Sequence, residues 1–348
     1  MNSPPPDPSR RGVALWLLAC CALVFAMVVV GGITRLTHSG LSIVEWQPLV
    51  GALPPLNEHQ WEETFAKYRE TPEFRLRNHD MTLAGFKGIF FWEYLHRLLG
   101  RLIGVAFFVP FLYFLVRRRI DAALAWKLAG IFALGGLQGA LGWYMVKSGL
   151  VDDPRVSPVR LAAHLGMAFL LFGLMAWTAM GLLAPAPASI PAPRSRRLAS
   201  IVVAAVFVMV LSGALVAGIR AGFAYNTWPT MNGHWIPDEI LLIEPWWDNF
   251  VYNMATVQFD HRGIAYVIAA LAIATWLSVR GESADARARR WAHALLAAVA
   301  VQISLGIATL LGRVPVPLAA VHQAGAVIVF ACALALRHAL RAPRQLHK

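Results

Sequence analysis

Long uncharged, apolar stretches alternate with short clusters of arginine along the whole chain. Between flanking basic residues the uncharged windows are 12–34, 102–116, 128–146, 161–193, 198–219, 263–279, 291–312 and 314–336. A helix needs roughly 20 apolar residues to cross the hydrocarbon core of a bilayer. Seven windows have that reach as they stand, and 102–116 gains it by extending back through Phe90, Phe91, Trp92, Tyr94 and Leu95. The pattern predicts an all-α polytopic membrane protein with eight spanning helices, at 13–33, 92–116, 124–146, 160–183, 198–218, 259–279, 290–311 and 317–337. A Pro/Ala-rich stretch with Pro185, Pro187, Pro191 and Pro193 separates the first four from the last four.

The two sets of four read as copies. Gly40 and Trp46 in HSGLSIVEWQP match Gly222 and Trp228 in RAGFAYNTWP at a constant offset. EYLHRLLGRLIG around His96 matches FDHRGIAYVIA around His261, LQGALGWYMV with Gln138 matches VQISLGIATL with Gln302, and VRLAAHLG with His164 matches PLAAVHQAG with His322. Four matches in one order indicate an internal repeat. An even number of spans per copy leaves both copies the same way up. The expected architecture is therefore two tandem four-helix bundles related by a pseudo-twofold axis along the membrane normal. The corresponding divisions are an N-terminal segment 1–12, a first half 13–183, a linker 184–197, a second half 198–337 and a tail 338–348.

Composition and charge sharpen this picture. The chain is 58% hydrophobic and 14% charged, against about 25% charged in soluble proteins. Its formal net charge is +12, which raises nucleic acid as a partner. With the N-terminus cytoplasmic, however, the clusters Arg10–Arg11, Arg117–Arg119, Arg194–Arg197, Arg287–Arg290 and Arg337–Arg344 all fall on the cytoplasmic side. That placement is the positive-inside pattern of membrane proteins. The charge reports topology and not nucleic acid, and both termini are expected in the cytoplasm. The 26 arginines against five lysines, with abundant alanine, point to a GC-rich bacterium and hence to the inner membrane. Segment 1–11 is short and Pro-rich and the apolar run after it is too long for a signal peptide, so no cleavable signal is expected. Cys20, Cys21 and Cys332 fall inside spans, which leaves no disulfide framework across the loops.

Two outer loops are long. In residues 34–91, Asn57 is placed to cap a helix that ends near Pro72, with Trp61, Phe65 and Tyr68 on one face as an interfacial lid. Residues 219–258 carry Trp228, Trp235, Trp246 and Trp247, ordinary interfacial anchors.

Of eleven histidines, His96, His164, His261 and His322 occupy equivalent places in the repeat, in the first turns of the second, fourth, sixth and eighth spans. All four lie at one depth just beneath the outer surface, so His96 can face His164 and His261 can face His322. Neutral imidazoles on facing helices of a bundle are the usual axial ligands of haem iron. Two pairs read as a two-haem protein; the plainer alternative is polar side chains hydrogen-bonded at helix ends. A zinc site needs three or four converging ligands, and the repeat separates these into pairs. His38, His59, His79 and His234 fall in outer loops and His293, His338 and His347 on the cytoplasmic side, all expected to be solvated. His38 stands out because it follows GITRLT near the first pocket.

The halves differ at one informative place. Glu93 precedes His96 by three residues, and its counterpart before His261 is Gln258. Glu93 reads either as a carboxylate that accepts a proton at a haem pocket or as a solvated interfacial acid. Arg97 and Arg262, next to the histidines, read as partners for haem propionates or as interface anchors. Gly100 and Gly104, and Gly135 and Gly139, have the spacing of close helix packing, and haem contact explains them equally well. The asymmetry points to a reacting haem in the first half and an electron-relaying one in the second.

GGITRLTHSGLSIVEWQPLVGALPPLNEHQWEETFAKYRETPEF, FWEYLHRLLGR, AGFAYNTWPTMNGHWIP and FDHR resemble the haem A synthase family over about residues 13–337. The long first loop without cysteines resembles its proteobacterial and mitochondrial branch. The resemblance implies an oxidoreductase that converts the C8 methyl of haem O to a formyl group by successive hydroxylations and loss of water, giving haem A for haem-copper oxidases. It implies that His96 and His164 flank the substrate haem, that His261 and His322 ligate a haem b, and that Glu93 is the carboxylate of the catalytic pocket. Haem O synthase, cytochrome oxidase assembly and an unidentified electron-transfer protein are the implied partners, with membrane lipid around the chain and a homo-oligomer as an option.

Two other functions compete. One is a b-type electron-transfer protein, which commonly places two ligands on one helix at opposite depths, unlike the single-sided histidines here. The other is a haem carrier or assembly factor. A prenyl-transferring haem O synthase needs a paired DxxxD-type motif, and no loop carries one.

Overall fold

A computed structural model describes residues 8–46, 50–150, 154–183, 192–282 and 286–341. Among them are eleven α-helices and no strand. Eight are long and apolar enough to span a membrane: α1 (Pro8–Leu36), α4 (Leu83–Val116), α5 (Ala122–Lys147), α6 (Pro158–Leu183), α7 (Pro193–Gly218), α9 (Met254–Glu282), α10 (Ala286–Leu311) and α11 (Val316–Ala339). The short helices α2 (Glu58–Arg69), α3 (Pro72–Arg77) and α8 (Asn249–Tyr252) lie in the two long loops, at the end of the bundle expected to face outward. Pro185, Pro187, Pro191 and the ends 1–7 and 342–348, with His347, fall outside the described residues.

Helix starts follow local chemistry. The Asp121 carboxylate accepts from the Leu124 amide at 2.7 Å, opening α5, and Pro193 stands in the first turn of α7, a position that needs no amide hydrogen. Helix α7 thus takes up residues expected in the linker. Helix α4 begins nine residues before the expected position. The Thr82 hydroxyl caps it at the Gly85 amide, 3.3 Å away, and its extra turns carry Phe86 and Phe90. At about 1.5 Å per residue its 34 residues span about 50 Å, more than a hydrocarbon core requires. The outer turns therefore leave the bilayer and meet the lid.

That lid is the helix expected from Asn57, whose side chain accepts from the Gln60 amide at 2.9 Å. Phe65 and Tyr68 stack on Phe86 at 5.0 and 5.1 Å, and Trp61 meets Phe90 edge-on at 4.9 Å. Pro72 does more than end α2: it opens α3, with Thr71 as cap.

In the first half α1 touches α4 and α6, and α5 touches α4 and α6; in the second half α7 touches α9 and α11, and α10 touches α9 and α11. The halves meet through α6 on α7, α1 on α11 and α6 on α11. Their shared core is built from Leu17, Val24, Phe169, Phe172, Val202, Val206 and Phe330. Helices α5 and α10 stand outermost and bury least.

A candidate two-fold histidine site

Each of the four repeat-related histidines lies against a glycine of a neighbouring helix. A methyl group placed on Gly31 of α1 would stand 2.9 Å from Cε1 of His96 on α4, and on Gly142 of α5, 3.0 Å from Cε1 of His164 on α6. In the second half the same test gives 3.2 Å from Gly213 of α7 to His261 of α9, and 2.9 Å from Gly306 of α10 to His322 of α11. Any larger residue would push the imidazole aside, so the glycines fix where each ring sits. His96 and His164 are within electrostatic reach of each other, as are His261 and His322. The sequence reading missed these glycines, although Gly31 and Gly213 share the offset of Gly40 and Gly222. His164, His261 and His322 lie in the second turns of their helices, and His96 lies almost four turns into α4, because α4 starts early.

The nitrogens of the rings differ between halves. His261 Nδ1 stands 3.2 Å from Ser212 Oγ, and His322 Nδ1 stands 3.2 Å from Gln302 Nε2, which also donates to the His322 carbonyl at 2.8 Å. Such outer partners orient a ligating imidazole. In the first half the Nδ1 atoms of His96 and His164 are buried without a hydrogen-bond partner, while Gln138 Nε2 stands 3.5 Å from His164 Nε2 and donates to the His164 carbonyl at 3.1 Å.

Glu93 is only 3% exposed, which rejects the solvated alternative. Its Oε2 accepts from Ser42 Oγ at 2.7 Å and the Ile43 amide at 2.8 Å; its Oε1 accepts from Arg97 Nη2 at 2.6 Å and Nε at 3.1 Å. Arg97 goes on to donate to the carbonyls of Ile43 at 2.8 Å and Glu45 at 3.0 Å. The second half repeats this clamp without charge. Arg262 donates to Gln258 Oε1 at 2.8 Å and the Tyr225 carbonyl at 3.0 Å, and Gln258 donates to the Ala221 carbonyl at 2.7 Å. Both arginines thus fasten an outer loop onto the helix that carries a histidine. Arg97 also lines, with Trp46, Trp143 and Lys147, a cleft of about 250 Å³ between the first loop and the outer end of α5.

The seam between α4 and α5 breaks the symmetry. Gly104, Gly130, Gly135, Gly136 and Gly139 all face open space, so close packing does not explain this set. Their counterparts in the second half are Ala269, Ala294, Val299, Ala300 and Ile303. Val299 lies in the core, with Ala269, Ala294 and Ile303 packed on it. Phe132 stacks on Phe107 at 6.0 Å and on Phe108 at 5.1 Å, joining α4 to α5 between Gly130 on one side and Gly135, Gly136 and Gly139 on the other. One antiparallel turn further out stand Gly104 and Gly136.

His293, which is exposed, lies with Nδ1 2.7 Å from the Arg289 carbonyl, and two other histidines make contacts between distant segments. Arg220 Nη2 lies 3.0 Å from His38 Nδ1. These positions are 182 apart, the offset of Gly40 and Gly222, and both adopt left-handed φ, 53° and 59°. His338, expected to be solvated, is 1% exposed and meets Trp177 edge-on at 5.0 Å.

The sequence as a whole has close relatives. The chain is 56% identical over 335 residues to a heme A synthase of Nitrosospira multiformis, covering 95% of this chain and 94% of that one. It is 53% identical to a heme A synthase of Nitrosomonas eutropha, covering 92% of each, and 50% identical to one of Rhodospirillum centenum, covering 98% and 93%. Residues 14–334 match the family model described as cytochrome oxidase assembly protein, and with half or more of these relatives' residues shared along the same eight helices, the chain belongs to that family.

Proposed function

We propose that this protein is a haem A synthase, an oxidoreductase that takes the C8 methyl of haem O to a formyl group by successive hydroxylations and supplies haem A to haem-copper oxidases. The observation that carries the reading is the broken symmetry of the histidine site. Two halves share one glycine-cradled pair each, and only the first has open space at Gly104, Gly130, Gly135, Gly136 and Gly139, where the second half carries Ala269, Ala294, Val299, Ala300 and Ile303. A substrate must enter and leave, whereas a resident cofactor need not. The first half is therefore the substrate half, and the open space along α4 and α5 suits the prenyl chain of haem O.

The residues fit the groups assigned to them. His96 keeps an unpartnered Nδ1 and His164 meets Gln138 through Nε2 at 3.5 Å, so these rings are held less tightly than the second pair, as suits residues that flank the substrate haem O. Ser212 and Gln302 hold His261 and His322 in fixed orientation, as ligands of a haem b require. A haem b there supplies one-electron transfer, carrying away the electrons that oxidation of the methyl group releases. Glu93 holds Arg97 and the 42–45 loop over the His96 side, and as the one anionic member of the two clamps it is placed to take up a proton at the outer mouth. Arg262, clamped by neutral partners, retains its full charge to pair with a haem propionate, and Arg97, whose charge is shared with Glu93, would offer a propionate its remaining N–H. The two halves, residues 13–183 and 198–337, are related by a pseudo-twofold axis running between α6 and α11 along the membrane normal. Both termini face the cytoplasm of a bacterial inner membrane. Haem O synthase delivers the substrate, and a separate electron-transfer protein takes the electrons.

Extraction of pigments from the purified protein, followed by mass spectrometry, tests the reading. Haem O, haem A and hydroxylated intermediates are expected together with haem b. Haem b alone in both halves, with no conversion of supplied haem O, would overturn it. His261→Ala should abolish the low-spin haem b spectrum, and an unchanged spectrum rejects the second pair as its ligands.

A further inference from the structure

The end of the bundle opposite the histidines carries a second cluster, which plays no part in the reading above. There α6 ends, α7 begins and α11 ends, so the two halves meet. Arg337 of α11 joins all three helices. Its Nε donates to Ser200 Oγ of α7 at 2.7 Å, and its guanidinium carbon lies 5.9 Å from the ring centroid of Trp177 of α6. Its Nη1 is buried and has no hydrogen-bond partner. Buried donors are paired in nearly all proteins, and a guanidinium N–H fork matches a phosphate oxyanion.

Arg337 feels Arg196, and the neighbouring His338 feels Arg341, Arg287 and Arg337. Arg341 reaches back to touch the His338 ring. The nearby carboxylate Glu282 is engaged with the backbone amide and hydroxyl of Ser195, at 2.9 and 2.8 Å. Arg196 of α7 thus acts on Arg337, whose Nη1 is a buried donor without a partner, while Arg287 of α10 and Arg341 act on the adjoining His338. A positive-inside bias accounts for arginines at this end. It does not account for one of them lying over Trp177 with a buried nitrogen unpaired.

We infer that Arg337, with Arg196, Arg287 and Arg341, forms a phosphate-oxyanion site at the junction of α6, α7 and α11. An anionic phospholipid headgroup or a free phosphate supplies the same chemistry, and basic pockets between helix ends favour the former. Occupancy would tie the start of the second half to the end of the first, acting as a clasp between them.

The test uses the delipidated full-length protein in neutral detergent, with thermal unfolding followed against added short-chain phosphatidylglycerol, phosphatidylcholine or inorganic phosphate. Phosphatidylglycerol should raise Tm saturably and phosphatidylcholine should not; an equal response to inorganic phosphate identifies a free-phosphate site. Arg337→Gln should weaken the apparent affinity roughly tenfold or more, the effect of losing a charge-assisted hydrogen bond. Ser200→Ala, which frees the guanidinium without removing charge, covers the case in which Arg337→Gln does not fold, and should weaken it in the same direction. Arg290→Gln, an exposed arginine at the same end, should leave it unchanged. No response to either phosphate-bearing probe, an equal response to phosphatidylcholine, or equal affinity in the Arg337→Gln and Arg290→Gln proteins would overturn the site.

Discussion

Replacing Glu93 by glutamine changes one atom of the outer clamp and keeps its shape. The carboxylate now accepts four hydrogen bonds, two from the loop and two from Arg97. A glutamine can keep its oxygen on Arg97, as Gln258 does on Arg262. Its amide nitrogen then faces Ser42 and the Ile43 amide. The serine hydroxyl can rotate, but the Ile43 N–H cannot, so a buried donor is left opposite another donor. An unsatisfied buried group costs about 1–3 kcal/mol, and breaking a buried ion pair costs about 3–5 kcal/mol. Arg97 retains the carbonyls of Ile43 and Glu45, which places the loss at about 3 kcal/mol, the low end of the ion-pair range. That corresponds to roughly hundredfold faster hydrogen exchange at the Ile43 amide, read by mass spectrometry of a peptide spanning residues 42–46. Haem b should stay bound with its normal spectrum, and haem A output should fall. Exchange at Ile43 within threefold of the parent, with normal haem A output, would refute the account of the clamp.

Other expectations follow from the same geometry. Gly135→Val with Gly139→Ile copies Val299 and Ile303 into the first half. It should leave haem b intact while raising KM for haem O, and an unchanged KM would remove the seam from substrate binding. Gly306→Ala should shift the haem b spectrum by displacing His322, whereas Gly142→Ala should cut turnover and spare that spectrum; the reverse pattern would exchange the roles of the halves. Burial pushes the Glu73 carboxyl up from 4.5 to about 7, against the lowering pull of the Tyr68 hydroxyl. The folded lid therefore binds a proton that an unfolded chain releases, so lid docking is strongest below about pH 4.5 and weakens as pH rises through 7. Proteolysis of residues 58–77 should accelerate over that range in the parent and change little in Glu73→Gln.

The spanning helices were legible because the bilayer imposes one length and one polarity on them, and the caps at Asn57 and Asp121 act within three residues. The early start of α4 was hidden because residues 83–91 include Lys87 and gain their helical state from Phe86 and Phe90 packing under the lid, a contact between distant segments. The histidines were legible as a repeated pattern. Their glycine cradles were not, because each glycine sits on a different helix from its histidine and small residues in spans read as packing. Gly104, Gly135 and Gly139 show the ambiguity: their spacing is that of a tight interface, and they face open space. His338 was misread because its neighbours Arg337 and Arg341 signal solvent, while Trp177 of another helix buries it.

The meeting of His38 and Arg220 has a consequence for how such a chain arises. In a symmetrical dimer of one half, this position would face its own copy across the axis. An arginine there would meet an arginine, and a histidine a histidine, so the contact could never pair a guanidinium donor with an imidazole acceptor. Joining the copies in one polypeptide frees the two positions to differ. The 3.0 Å contact between them is closed to two identical copies, and it marks a point where duplication gave the halves separate histories.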